Sequence, residues 1–147
     1  RETGALISTH TEAGTMALEQ IAIFKEEGVP AEKVLIGHMD RNLDYDYHLE
    51  VAKTGVTLGY DQFSKEKYYP DFQRIDFISK LFKDGYGKQI AISGDLARRS
   101  DLTSYGGGPG YTFILWRIIH WLRKKGLTQD DIHTLFVETP KRLLAIG

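Results

Sequence analysis

Three short apolar runs end in side chains that bind metal ions and move protons. LISTH occupies residues 6–10, VLIGHMD residues 34–40 and AISGD residues 91–95. Each reads as a strand that delivers a histidine or an aspartate at its C-terminal end, namely His10, His38 and Asp95. Two imidazoles and a carboxylate suit Zn²⁺ or a similar divalent ion, with a position left open for water. Water held on such an ion becomes a nucleophile near neutral pH, and the ion also polarises the bond to be broken. In that chemistry Asp95 holds the ion and accepts the proton of the water, which makes it the catalytic carboxylate. Taken singly, each residue is more simply a polar cap on a strand-end loop. Spacing alone leaves both readings open.

The elements that must position these groups alternate four times. LISTH is followed by TMALEQIAIFKEEG (15–28), where Met16, Ala17, Ile21 and Phe24 recur at helical spacing and Gly28 ends the run with Pro30 beyond it. VLIGHMD leads into a weaker helix near 44–54 that stops at Gly55. VTLGYDQF (56–63) is a third strand, and the helix predicted after it, 71–85, carries Phe72, Ile75, Ile78 and Phe82 on one stripe. QIAISGD (89–95) is the fourth strand, followed by an apolar helix over 111–125 closed by Gly126. Thr128 is the predicted N-cap of TQDDIHTLFVE, and Thr139-Pro140 predicts a fresh helix start running to the C-terminus.

Near-continuous apolar strands alternating with helices predict an α/β fold with a parallel sheet under helices. A whole (β/α)8 TIM barrel takes about 250 residues, so four units amount to half of one. The alternative is a small doubly wound open sheet. No glycine-rich phosphate fingerprint follows any strand, which weakens that alternative. His10, His38, Asp61 and Asp95 all fall at strand C-terminal ends, where barrel sites are built, which favours the half barrel.

Composition narrows the chemistry further. The 147 residues are 41% hydrophobic and 27% charged with a formal net charge of -1, so there is no electrostatic reason to expect nucleic acid or an anionic membrane as partner. Cysteine is absent, which removes thiolate sites and leaves any metal to His, Asp or Glu, and fits a reducing cytoplasm. No apolar run reaches the about 18–20 residues that span a bilayer. The chain opens on Arg1 and shows no signal-peptide pattern, so a piece of a longer protein is expected.

STHTEAGTMALEQ (8–20), VLIGHMD (34–40), LGYDQFSKEKYYPD (58–71), SGDLARRSDL (93–102) and YGGGPGYT (105–112) resemble the phosphotriesterase family of the amidohydrolase superfamily. The match covers essentially the whole chain, and its order and spacing are more specific than any one motif. The resemblance implies a (β/α)8 barrel with two divalent metals bridged by hydroxide, most simply Zn, with Mn or Co as alternatives. It implies that this chain covers strands five to eight with their helices and the C-terminal helix, so that residues 1–147 are the C-terminal half of a metal-dependent hydrolase. His10 and His38 match the strand-five and strand-six histidines that hold the more exposed metal. Asp95 matches the strand-eight aspartate on the more buried one. The family's His-x-His pair and its bridging Glu or carbamylated Lys belong to strands that precede Arg1. The N-terminal half of the barrel is therefore expected as a partner, and without it parallel strand edges would be open to aggregation.

Two loops speak to the substrate. SKEKYY (64–69) carries Lys65 and Lys67, and LARRSDL (96–102) carries Arg98 and Arg99. Barrels often dock an anionic group at the loops after strands seven and eight, so Lys67 and Arg98 are candidate phosphate ligands, one a point charge and the other a fork. Tyr105, in the glycine-rich SYGGGPGY (104–111), is a candidate lid residue on the substrate. The loops also resemble those of the family's lactonase-type members, which implies a phosphorylated sugar lactone as small-molecule substrate. Phosphotriesterase or aryl esterase activity of the same site is the alternative. A barrel isomerase or aldolase would want a strand-end lysine or acid–base pair, and a non-catalytic half-barrel module would be free to lose its ligands. Asp61 is read as a carboxylate that orients a neighbour or anchors its loop. His48, His120 and His133 are expected at the surface or an interface, and Trp116 and Trp121 in the core or a subunit interface of a homo-oligomer.

Overall fold

The computed structural model describes residues 3–145. Its four strands are β1 (Ile7–Thr9), β2 (Val34–Ile36), β3 (Thr57–Tyr60) and β4 (Ile90–Ile92). They pair in parallel in the order β1-β2-β3-β4, with Ile7 beside Val34, Leu35 beside Thr57 and Leu58 beside Ile90. Parallel neighbours need crossovers, and α1 (Ala17–Glu26), α2 (Tyr45–Lys53) and α3 (Asp71–Lys83) supply them. A doubly wound sheet reverses its strand order at a switch point. Among the described residues the order never reverses, so the sheet grows in one direction, as a barrel wall does.

Burial explains why these segments form. Ile36, Leu58, Tyr60 and Ile90 from the strands are fully buried in one core with Ile75, Ile78 and Leu81 of α3. Ile118 and Leu122 close the same core from the helix that ends in α4 (Ile119–Lys124). Each such side chain contributes about 1.5–3 kcal/mol relative to exposure. Helix α2 is capped by Asp44, whose carboxylate accepts the Tyr47 N–H at 3.1 Å. Gly28 leaves α1 with φ 67, a backbone that glycine adopts without strain.

The structure departs from the sequence reading in four places. Helix α1 starts at Ala17 because Met16 is left-handed (φ 58), and its side chain is 57% exposed. Phe72, in the first turn of α3, is half exposed, and the buried stripe runs through Arg74, Ile75, Ile78, Ser79 and Leu81. The apolar helix opens as a π-helical turn, Ile114–Ile118, which leaves Trp116 60% exposed, so that of its two expected places only the subunit interface stands, while Trp121 is partly buried. Finally, no helix restarts at Thr139. The Thr128–Asp131 capping box opens α5 (Gln129–His133), and a π-helical turn (Thr134–Glu138) carries it directly into α6 (Thr139–Leu144). The widened turn accommodates Pro140, which lacks an N–H and would clash with the carbonyl four residues back in a regular helix. From α6, Arg142 donates to the carbonyls of Glu32 and Lys88 and to Thr57 Oγ1, tying together the entries to β2, β3 and β4.

Candidate active site

Backbone strain collects at one end of the sheet. Among the described residues the non-glycine positions with positive φ are Ala13, Met16, His38, Ser64 and Asp95, and all five lie in the loops that follow the strands. Such conformations cost free energy and persist where surrounding contacts impose them, often at functional sites. His38 (φ 60) and Asp95 (φ 45) are among them. Two glycines let the strand ends approach. A Cβ on Gly37 would lie 2.5 Å from the Thr9 carbonyl oxygen, and one on Gly59 3.0 Å from that of Ile36. The Gly37 N–H donates to Thr9 O at 3.0 Å, and Thr11 Oγ1 donates to Gly37 O at 2.7 Å.

This approach brings His10 and His38 edge to face, with ring centroids 4.7 Å apart. His10 is well exposed and His38 is half-buried. Asp61, after β3, holds His38 twice. Its Oδ2 accepts the His38 backbone N–H at 3.0 Å, and its Oδ1 lies 2.6 Å from Nδ1. Gln62 Nε2 lies 3.2 Å from Asp61 Oδ1, 3.1 Å from Asp95 Oδ2 and 2.9 Å from His38 Nδ1. The carboxylate contacts are satisfied when the Gln62 amide donates to Asp61 and Asp95 and His38 Nδ1–H donates to Asp61, and the Gln62 and His38 nitrogens then lie side by side as donors around one carboxylate. That tautomer leaves Nε2 of His38 as the lone pair able to bind a cation.

Asp95 is fixed from two sides. Lys65 Nζ donates to its carbonyl at 2.7 Å and reaches Oδ2 at 3.4 Å. Burial pushes its carboxyl up, but the Gln62 hydrogen bond and the Lys65 ammonium outweigh it and hold the group below the usual carboxylate range. Lys67 and Arg98, both exposed, line a single hollow of about 430 Å³ with Lys65, Tyr68 and Asp95. Tyr105 lies outside it. Its exposed ring sits 4.5 Å under the Arg99 guanidinium, beside an adjoining hollow that Arg98 also lines.

Several residues stand where the sequence did not indicate. His48 is fully buried and not at a surface: its Nδ1 lies 2.5 Å from the Tyr60 hydroxyl and its Nε2 3.0 Å from the Asn42 carbonyl. Burial drives its pKa down to about 4, so it is neutral in the fold. His120 and His133 are exposed as expected, although His133 has an acid partner, Glu138, at 3.9 Å. Gln62 and Lys65 carry no motif that marks them as contacts of Asp95.

His38 offers its imidazole Nε2, His10 lies beside it, and Asp95 offers an ionised carboxylate joined to Asp61 through Gln62. These are ligands such ions accept. Among the described residues, however, no three His, Asp or Glu side chains gather closely enough to hold an ion unaided. The residues fit as part of a ligand set.

A one-directional parallel sheet under helices, with polar groups at the strand C-terminal ends, defines an α/β fold built as barrel walls are. A family model for the Phosphotriesterase family matches residues 1–144. The chain belongs to this family, which is part of the amidohydrolase superfamily. Its members are generally binuclear metal enzymes. A crystal structure of a lactonase from Listeria monocytogenes superposes with a TM-score of 0.92 at 44% identity, over 99% of this chain and 46% of that one. The N-acetyltaurine hydrolase of Dictyostelium discoideum is 42% identical over 99% of this chain and 42% of its own length. A phospho-furanose lactonase of Mycoplasmopsis synoviae is 35% identical over 97% of this chain and 42% of its own. The chain thus spans less than half the length of these relatives.

Proposed function

We propose that this chain supplies strands five to eight of a (β/α)8 barrel and part of the site of a metal-dependent hydrolase acting on phosphorylated sugar lactones. The observation that carries the reading is the connected set at the strand ends: His10 against His38, His38 on Asp61, and Gln62 spanning Asp61 and Asp95. His10 and His38 would hold one divalent ion and Asp95 a second, with the remaining ligands coming from the first half of the barrel. When bound, such ions supply a Lewis acid for the scissile carbonyl and a water that ionises near neutral pH.

The chain's own residues do the rest. Asp61 keeps the His38 proton on Nδ1, so the ring presents Nε2 to a cation. Lys65 and Gln62 hold Asp95 ionised through Oδ2, which leaves the carboxylate able to take a proton and return it to the leaving alkoxide. Lys67 and Arg98, which line the same hollow as Asp95, would grip a phosphate remote from the ring. Binding energy from that group orients the carbonyl against the attacking water. Support for the substrate comes from the relatives named lactonase and phospho-furanose lactonase.

The test begins with metal content per chain by elemental mass spectrometry on the protein with its barrel completed, after zinc loading and removal of free metal, for the parent and for His38→Ala. Ions retained by the parent and lost from the variant support the metal site, and none in either overturns it. Hydrolysis of a phosphorylated furanose lactone, its unphosphorylated counterpart and N-acetyltaurine by the protein with its barrel completed then decides the substrate. Preference for the amide would sink the lactone reading.

A further inference from the structure

Beneath the site, and outside it, lies a cluster of charges with almost no access to water. The side chains of Arg74, Asp40 and Asp71 are 1%, 0% and 6% exposed. Arg74 Nε donates to Asp40 Oδ2 at 2.8 Å, and its Nη1 donates to Asp71 Oδ1 at 3.0 Å and to the Tyr69 carbonyl at 2.5 Å. Desolvating such charges is costly, and well-packed apolar side chains commonly serve stability as well. Asp40 Oδ1 and Arg74 Nη2 are also buried without a partner among the described residues, which adds to the cost. Stability alone is a poor account of the cluster.

What the carboxylates hold gives a better one. Asp40 Oδ2 also accepts the backbone N–H of Gln62 at 2.9 Å. Both oxygens of Asp71 accept the N–H of Ser64, at 3.0 and 3.2 Å, where the backbone is left-handed with φ 71. Between these two residues Phe63 is fully buried. With the Tyr69 carbonyl, three backbone groups of the loop after β3 are thus fastened to charged groups. The same loop carries the Gln62 amide, which spans Asp61 and Asp95, and Lys65, which holds Asp95.

We propose that Arg74 is a positioning residue: by drawing Asp40 and Asp71 together it sets the β3 loop so that the Gln62 amide spans Asp61 and Asp95. It touches no reacting atom and acts through two carboxylates and a backbone. Its consequence for metal binding rests on the hydrolase reading above, but the geometric claim does not.

The experiment uses the protein with its barrel completed and compares the parent with the charge-neutral pair Asp40→Asn plus Arg74→Met, and with Arg74→Lys. Amide hydrogen exchange is read by NMR at Gln62 and Ser64 against Ile36 and Leu58 in the strands, and zinc affinity by competition with a chromophoric chelator. The double variant should lose about tenfold or more of the protection at Gln62 and Ser64 while the strand amides keep theirs, and zinc binding should weaken roughly tenfold. Arg74→Lys, which reaches one carboxylate at a time, should restore protection in part. Unchanged protection at Gln62 and Ser64 overturns the proposal, and so does a loss shared equally by every strand amide. If the parent itself binds no zinc, the metal reading fails while the exchange comparison still decides the role of Arg74.

Discussion

Asp61 grips His38 by both ends, its Oδ1 2.6 Å from the ring Nδ1 and its Oδ2 accepting the backbone N–H at 3.0 Å. One carboxylate thereby fixes the tautomer of the imidazole and the left-handed backbone that aims it. Asp61→Ala should weaken zinc binding roughly 10–100-fold with the circular dichroism of the fold unchanged. An unaltered competition titration would show that His38 needs no such support.

Gly37 brings the ends of β1 and β2 together, because a Cβ there would sit 2.5 Å from the Thr9 carbonyl oxygen. Gly37→Ala must open that contact and separate His10 from His38. The expected cost is about 1–3 kcal/mol of unfolding free energy in urea, as for other overpacked sites. A change within a few tenths of a kcal/mol would mean the strand ends part easily.

Arg98 shares its hollow with Asp95 and Lys67. On the proposed substrate, Arg98→Ala removes a charge-assisted hydrogen bond, and kcat/KM for a phosphorylated lactone should fall by roughly 10–100-fold. The unphosphorylated lactone should be nearly unaffected. Equal losses on both would remove Arg98 from phosphate recognition.

Acid should bear on the buried His48. Burial holds its folded pKa at about 4 against an ordinary 6.5, so between those values the unfolded chain binds the extra proton and stability falls as pH falls. Asp40 works in the opposite sense. Burial, then the Asp61 charge, push it up to about 6 from 3.8 despite Arg74, so over that window the fold binds the proton first and stability rises as pH falls. The two terms offset one another in the parent. His48→Gln removes one of them, so its stability relative to the parent should improve by roughly 3 kcal/mol from pH 6.5 to pH 4. A gap that does not change with pH would mean that His48 carries its proton in the folded state.

The strand ends could be read in advance because an apolar run that stops at a histidine or aspartate marks both the strand and its polar terminus, as at Ile36 to His38. Half of the site is invisible at that level. Gln62 carries no signature of its own, and its importance comes from Asp61 and Asp95 meeting around it in three dimensions. Lys65 and Lys67 are indistinguishable in a flexible-looking loop, and the left-handed Ser64 precedes the one that reaches Asp95. His48 looked like a surface residue because its partners, Tyr60 and Asn42, come together only once α2 lies over β3. The helix restart expected at Thr139-Pro140 failed for a related reason. Proline forbids a regular turn but tolerates a widened one, and nothing local to the sequence distinguishes the two outcomes.

Arg142 reaches the Glu32 and Lys88 carbonyls and the Thr57 hydroxyl from the far end of the chain. A ribosome makes all four strands before it makes this residue. Until then the openings of β2, β3 and β4 lack this shared fastener. The last helix acts as a drawstring, pulled once, after everything it gathers has already been synthesised.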